Sequence, residues 1–287
     1  MIVLVTGATG AFGRLVVPRL LAAGARVRAV SRTPERAALP GAAELVQADP
    51  SRPETMAGCF DGAEAVFLHP RSFGDSARRL LEVAAAHGVR KVVALSAINI
   101  DDPDELQPSR WRGDRNREAE QAAMDSGLTW TSLRASSFAG NSAQAWGSQL
   151  RAGDVVRYAC ARFREPVLDE RDLADVAARA LLTDELDDRR LELTGPQSLS
   201  HEEMVAVIAA ELGRPLRFEE VPAQAVAAHL VAGGLPEPWA RALLARYAHY
   251  LDGDRQVVTQ EVDQALGRPA RTYAEWVADH AGAFRAG

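Results

Sequence analysis

The sequence predicts an α/β protein: a doubly wound parallel sheet with a smaller, mainly helical C-terminal lobe. Short apolar runs rich in β-branched residues alternate with helical patterns through the first half, as in a sheet buried on both faces. Glycines stand at 7, 10 and 13, between the first apolar run and the first helical pattern. After Asn141 the alternation ends and helical patterns dominate. The expected division is residues 1–150 and 151–287, with the second lobe partly interleaved with the sheet.

Ile2 to Val5 is the first strand. Leu15 to Leu21 is helical despite Pro18, and Gly24 stops it. Val27 to Val30 is the second strand and runs into Ser31 and Arg32. Thr33-Pro34 reads as an N-cap and first-turn proline. Ala43 to Ala48 is the third strand, closed by Asp49-Pro50, and Ala63 to Leu68 the fourth, ending at His69-Pro70. Ser72 to His87 carries a helical stripe, and Val92 to Leu95 is a fifth strand followed by Ser96-Ala97. Residues 98–112 are polar and proline-bearing, an expected exposed lid. Glu118 to Met124 is helical, and Leu128 to Leu133 is a sixth strand.

Beyond the sheet, Ser142 to Leu150 and Arg171 to Leu182 read as helices, and Leu191 to Leu193 as a strand that extends the sheet. Ser200 with Glu203 forms a capping box, which leaves His201 as an exposed first-turn residue. Leu216 to Val221 is a strand candidate. Pro236 to Leu251 carries Trp239, Leu243, Tyr247 and Leu251 on one stripe, a lobe face or a homodimer contact. Thr272 to Phe284 is the last helix.

The chain is 47% hydrophobic and 25% charged, as in ordinary globular proteins, and its net charge of −6 does not suggest a nucleic-acid surface. No apolar run reaches the roughly 18 residues of a membrane span. No basic, then apolar, leader is evident. Cys59 and Cys160 lack metal spacing and suit a reducing compartment, so the expected location is the cytoplasm and no metal is expected.

The glycines carry the chemistry. A pyrophosphate must lie almost against the backbone, and glycines at 7, 10 and 13 permit that approach. The helix N-terminus behind them offers unpaired N–H groups and partial positive charge. Gly7, Thr9, Gly10, Ala11, Phe12 and Gly13 are therefore candidate cofactor-binding residues. At the end of the second strand an NAD site places an acid on the ribose 2′-hydroxyl. This chain has Ser31 and Arg32 there. A guanidinium pairs with a 2′-phosphate, so NADP(H) is the expected cofactor; the alternative is a solvated loop arginine. Leu68, His69, Pro70, Ser96 and Ala97 sit at C-terminal strand ends, where ligands of such sheets bind.

TGATGAFG (6–13) resembles the extended and atypical short-chain dehydrogenase/reductases, which implies an NAD(P)-binding Rossmann domain. SGLTWTSLRASSFAGN (126–141) is similar to the NmrA-like branch, with Ala135 where proline is usual. RDLADVA (171–177), LELTGPQSLSHEEM (191–204), ELGRPLRFEEVP (211–222) and GRPARTYAEWV (267–277) continue the resemblance nearly end to end. It implies that Asp49 approaches the adenine, unless Asp49-Pro50 is only a turn. Short-chain reductases with full chemistry use Tyr-x-x-x-Lys on the helix before strand six. Those places fall near Arg112 and Asn116, and Lys91 is the chain's single lysine.

Ser96 and His69 are then the candidate catalytic groups. Asn99, Phe138 and Trp146 are candidate substrate contacts, although Phe138 and Trp146 equally suit core packing. Three functions stay open. The first is an NADPH-dependent reductase of a small carbonyl, quinone or enone. The second is a non-catalytic NADP(H) sensor of the NmrA type. The third is a non-redox enzyme that keeps the nucleotide as scaffold.

Overall fold

The computed structural model describes residues 1–251 and 257–285. Its first elements are β1 (Ile2–Val5), α1 (Gly13–Ala22), β2 (Arg26–Ser31), β3 (Glu44–Gln47), β4 (Ala65–Leu68), α2 (Ala77–Ala86), β5 (Lys91–Ala97), α3 (Asn116–Asp125) and β6 (Thr129–Ala135). Then come α4 (Gly140–Ala152), β7 (Val155–Tyr158), β8 (Arg164–Glu165), α5 (Glu170–Leu182), β9 (Arg189–Leu193), β10 (Leu199–Ser200), α6 (His201–Leu212) and β11 (Arg217–Glu220). The chain closes with α7 (Ala223–Ala232), α8 (Glu237–His249), α9 (Glu261–Leu266) and α10 (Tyr273–Asp279). Two compact units result. One holds residues 1–100, 113–135 and 173–192; the other holds 101–112, 136–172 and the chain from 193 onward.

The first unit is built on a seven-stranded sheet in the order β3-β2-β1-β4-β5-β6-β9. β1 lies parallel to β2 on one side and to β4 on the other. Parallel pairing continues from β2 to β3 and from β4 through β5 to β6. β9 follows β6 in the same sense: Asp188 N donates to Trp130 O at 2.6 Å, and Ser136 N donates to Leu193 O at 2.9 Å. The strand expected at 191–193 thus joins the sheet. Every residue of β4 is fully buried, as the unbroken apolar run requires. Strand order reverses at β1, so the C-terminal ends of β1 and β4 form a topological switch point.

Some boundaries differ from the sequence pattern for local reasons. α2 starts at Ala77, not Ser72. Residues 69–76 are instead a turn, with Ser72 Oγ donating to His69 O at 2.7 Å, Ser76 N donating to Phe73 O, and Gly74 at φ +57. Thr33-Pro34 opens only a 3₁₀ turn, Pro34–Arg36, and the Thr33 side chain caps nothing. Pro18 stands inside α1 on its exposed side. The last helix stops at Asp279, and a 3₁₀ turn at Ala281–Ala283 follows.

In the second unit β7 pairs parallel with β11, and β8 antiparallel with β10. Trp146, Tyr158, Phe163, Ile208, Tyr247, Trp276 and Phe284 are among its core residues. The Leu243–Tyr247 stripe of α8 faces this core. Of the loop expected at 98–112, residues 101, 103, 105, 111 and 112 are exposed, but others are not. Asp102, Leu106 and Gln107 are buried, Gln107 Nε2 donates to Asp102 O at 2.6 Å, and Tyr250 OH donates to Asp102 Oδ2 at 2.6 Å. The polar composition concealed the buried, hydrogen-bonded Asp102 and Gln107.

Two separated motifs prove to be one ion cluster. Asp172 is fully buried and accepts from Arg268 Nη2 and from Arg271 N, both at 2.7 Å, and from the Arg271 guanidinium. Arg171 grips Asp169 with its Nε and Nη2. RDLADVA and GRPARTYAEWV are therefore the two sides of one clamp. The capping boxes Ser200/Glu203 and Thr272/Glu275 are both formed.

Candidate functional site

The site is built where β1 ends in the first unit. Gly7 has φ +65, a conformation glycine adopts without steric cost. A Cβ there would lie 2.7 Å from His69 Cγ, so the histidine ring packs directly on the glycine. At Gly13 a Cβ would meet Gly7 O at 2.4 Å and Ala8 Cα at 2.6 Å. Gly10 N closes the turn on Gly7 O at 3.0 Å, and Arg14 Nε donates back to Thr9 O at 3.0 Å. Gly10 and Ala11 are exposed, whereas Phe12 is buried and tilted against Phe67 at 5.7 Å. Among the described residues no carbonyl accepts from the amides of Ala11, Phe12 and Gly13 at the start of α1. These are the donors an anion at a helix N-terminus takes up.

Thr6, which the sequence reading did not single out, ties the two strand ends together. Its hydroxyl donates to Phe67 O at 2.9 Å and accepts from His69 N at 2.8 Å. Its signal was a polar residue between an apolar run and the first glycine. His69 Nδ1 accepts from Arg71 N at 3.2 Å, which leaves the proton on Nε2. Burial, and secondarily Arg71, hold its pKa down to about 4 against the opposing pull of Asp114. The imidazole is neutral at physiological pH. His69 therefore presents its Nε2–H as a hydrogen-bond donor. Arg71 is itself held by both oxygens of Asp114, at 3.0 and 2.6 Å.

Arg32 lies exposed beyond β2, and among the described residues no carboxylate pairs with it. Ser31 is buried, and its Oγ accepts from Thr33 N. Asp49 Oδ1 accepts from Ser51 N at 3.0 Å and Ser51 Oγ at 2.7 Å, the self-contained turn of the alternative reading. Its pKa is lowered: desolvation pushes it up, but the Ser51 donors, Arg32 and Arg52 outweigh that. Leu68 and Pro70 are buried, and Ala97 is half-buried. Ser96 is buried, and its hydroxyl donates to Asn116 O at 3.3 Å, tying β5 to α3. That occupation argues against Ser96 as a proton donor. Asn99 is half-buried in the first unit.

The Arg134 of the SGLTWTSLR motif is a buried strut. Its Nε and Nη2 grip Glu120 at 2.9 and 2.6 Å, and the Ser132 hydroxyl also donates to Glu120. In the second unit Phe138 is half-buried and bridges to Leu168. Trp146 is 2% exposed and edge-on to Tyr158, His201 and Phe218, the core packing that the sequence equally allowed. His201 is likewise corrected. It is 2% exposed, and its Nδ1 lies 3.1 Å from Ala159 O within that aromatic cluster. The capping box was legible, but the face it turned inward was not.

Comparison with known proteins agrees with this geometry. The profile of the NAD(P)H-binding family matches residues 7–184. A (4-alkanoyl-5-oxo-2,5-dihydrofuran-3-yl)methyl phosphate reductase of Streptomyces griseus is 37% identical, across 98% of this chain and 99% of the relative. An NAD(P)H azoreductase of Xenophilus azovorans is 29% identical across 99% of each. The structure of an NADPH-dependent quinone oxidoreductase from Escherichia coli superposes with TM-score 0.82 at 24% identity, over 98% of this chain and 99% of that one, which shows the fold. With the glycine turn lying inside the matched span, the chain belongs to the NAD(P)H-binding family, the group to which its NmrA-like resemblance already pointed.

Proposed function

We propose that this protein is an NADPH-dependent reductase of a small, electron-poor acceptor of the quinone or enone class. The observation that carries the reading is the bare amides at Ala11 to Gly13 together with the exposed guanidinium of Arg32 beyond β2. The cradle fits a dinucleotide: a Cβ at Gly7 or Gly13 would collide, and the exposed Gly10 and Ala11 leave the backbone open to a ligand. The amides and the α1 N-terminus hold the pyrophosphate, and Arg32 favours the 2′-phosphate. His69 donates its Nε2–H at the end of β4. The reduced nicotinamide supplies a hydride when bound.

What the chain lacks sets the acceptor class. Arg112 and Asn116 stand near the places of the usual Tyr and Lys, and Asn116 is buried with its carbonyl taken by Ser96. An electron-poor acceptor needs less from a protein acid than a simple ketone does, and positioning supplies much of the acceleration. That the relatives named above are reductases supports the same reading. Asn99, in the first unit, is the candidate acceptor contact. The absent dyad also favours a second reading, an NADP(H) sensor without turnover. The test is NADPH oxidation by the purified protein across quinones, enones and ketones. Turnover restricted to quinones and enones is expected; binding of NADPH without turnover of any acceptor selects the sensor.

A further inference from the structure

His69 meets the glycine cradle through a ring whose orientation is set by another segment of the first unit, the residues just before α3. The ring is half-buried and packs on Gly7. Its Nε2–H has no protein partner among the described residues. Behind the ring, the Pro70–Arg71 peptide is held from both sides. Its N–H donates to His69 Nδ1 at 3.2 Å, and its carbonyl accepts from Arg115 N at 3.1 Å. A trans peptide is planar and its C=O and N–H point in opposite directions, so fixing the carbonyl aims the amide. Asp114 then grips the Arg71 side chain at Nε and Nη2, at 3.0 and 2.6 Å.

The Asp114 side chain keeps only 12% of its surface in water, and a fork of two bonds fixes direction as well as distance. Residues 69–76 lie outside the sheet, so their shape depends on such contacts. On the far side of the turn, Ser72 Oγ donates to Thr6 Oγ1 at 3.1 Å. We infer that Asp114 is a positioning residue for cofactor binding: through Arg71 it locks His69 as an Nε2–H donor to an oxygen of the bound dinucleotide. That role rests on the reading of His69 as a donor in the cofactor site. A neutral imidazole free to turn about Cβ–Cγ presents either nitrogen, and carries its proton on either. The lock removes both freedoms before the cofactor arrives, so binding spends no free energy on ordering the ring.

A double-mutant cycle on the full chain decides it, read by fluorescence titration with NADPH and by nitrogen-15 NMR of the histidine rings. His69→Leu identifies the His69 signals and weakens NADPH binding by roughly 10-fold, the worth of one hydrogen bond to the ligand. Asp114→Ala weakens binding about 5-fold, as the competent ring orientation becomes a minority form. It also shows His69 as a mixture of tautomers, where the wild type shows Nε2–H alone. Asp114→Asn, which keeps the shape and one acceptor, gives the same pattern at smaller size and serves where the alanine variant does not fold. The double variant binds no more weakly than His69→Leu, because Asp114 acts only through that ring. Asp125→Ala, which breaks an exposed pair with Arg78 elsewhere in the unit, is the charge control and leaves affinity unchanged. Losses that add in the double variant, a single tautomer in Asp114→Ala, or wild-type affinity in either single variant overturns the inference. So does tighter binding by Asp114→Ala, which would mean that the carboxylate only restrains the Arg71 charge. The expected coupling without turnover of any acceptor removes the reductase and keeps the inference. Quinone turnover by His69→Leu at wild-type NADPH affinity removes the inference and keeps the reductase.

Discussion

The glycine cradle and the Asp169–Asp172 clamp use similar chemistry to opposite ends. In the clamp every charge has its counter-charge: Asp172 takes three donors from Arg268 and Arg271, and Asp169 takes Arg171. In the cradle the donors outnumber the acceptors. The amides of Ala11 to Gly13 find no carbonyl among the described residues, and the Arg32 guanidinium is exposed. Buried polar groups are normally satisfied within a folded chain, whereas the open donors of a helix N-terminus are taken up by water or by a bound anion. The family motifs fall on both regions alike. Only the state of their hydrogen bonds separates structural from functional residues.

The comparison breaks first if the clamp is not structural. Asp172→Ala removes the buried carboxylate that Arg268 and Arg271 share; their side chains keep 36% and 30% of their surface in water. That exposure puts the cost at the lower end for a buried pair, about 3 kcal/mol, or a melting temperature lower by roughly 10 °C. Calorimetry should show this drop with NADPH affinity of the folded protein preserved. A change in affinity without a change in stability would give the clamp a binding role.

Gly13→Ala attacks the other side. A methyl group 2.4 Å from Gly7 O forces the turn apart. Loss of two charge-assisted amide bonds, at about 1.5 kcal/mol each, weakens NADPH binding by roughly 100-fold. Fluorescence titration reads it. Near-normal affinity would mean that the cradle is an ordinary turn.

How far the sequence carried this contrast depends on the range of the interaction. The switch-point sheet was legible because its strands are continuous apolar runs such as Ala65–Leu68, and the cradle because glycine spacing is local. The Ser200 capping box, spanning three residues, was legible too. His201 beside it was misread, because which face of α6 meets the aromatic core depends on Tyr158, Phe163 and Tyr247, far away in the chain. The clamp joins residues 96 and 99 positions apart, so its motifs could be seen but not their partnership. Ser96 was placed at a strand end, and only the return of α3 showed its hydroxyl donating to Asn116 O.

Arg32→Glu sharpens the cradle's side. Replacing an unpaired guanidinium by a carboxylate leaves the backbone donors in place and repels a 2′-phosphate. Affinity for NADPH should fall about 10- to 100-fold, while NADH binding holds or improves. Equal loss for both cofactors would assign Arg32 to the fold of the loop and not to the phosphate.

The smallest expected effect is a pH dependence at His69. Burial keeps its imidazole neutral in the folded protein, with a pKa of about 4, against 6.5 for an ordinary histidine. The unfolded chain therefore takes up the proton first as pH falls. The stabilisation is nearly complete above about pH 7.5 and declines towards pH 4; from about pH 7.5 to 5.5 the loss is about 1.3 kcal/mol. His201, whose pKa burial also lowers, adds a loss of the same sign from the second unit. The difference between wild type and His69→Gln in denaturant unfolding isolates the His69 share, since glutamine does not titrate. A variant whose stability falls as steeply as the wild type's would show that His69 is already open to protons in the folded state. Its Nε2 would then be free to carry charge to a ligand, and the neutral-donor role drawn from the Arg71 hydrogen bond would fail.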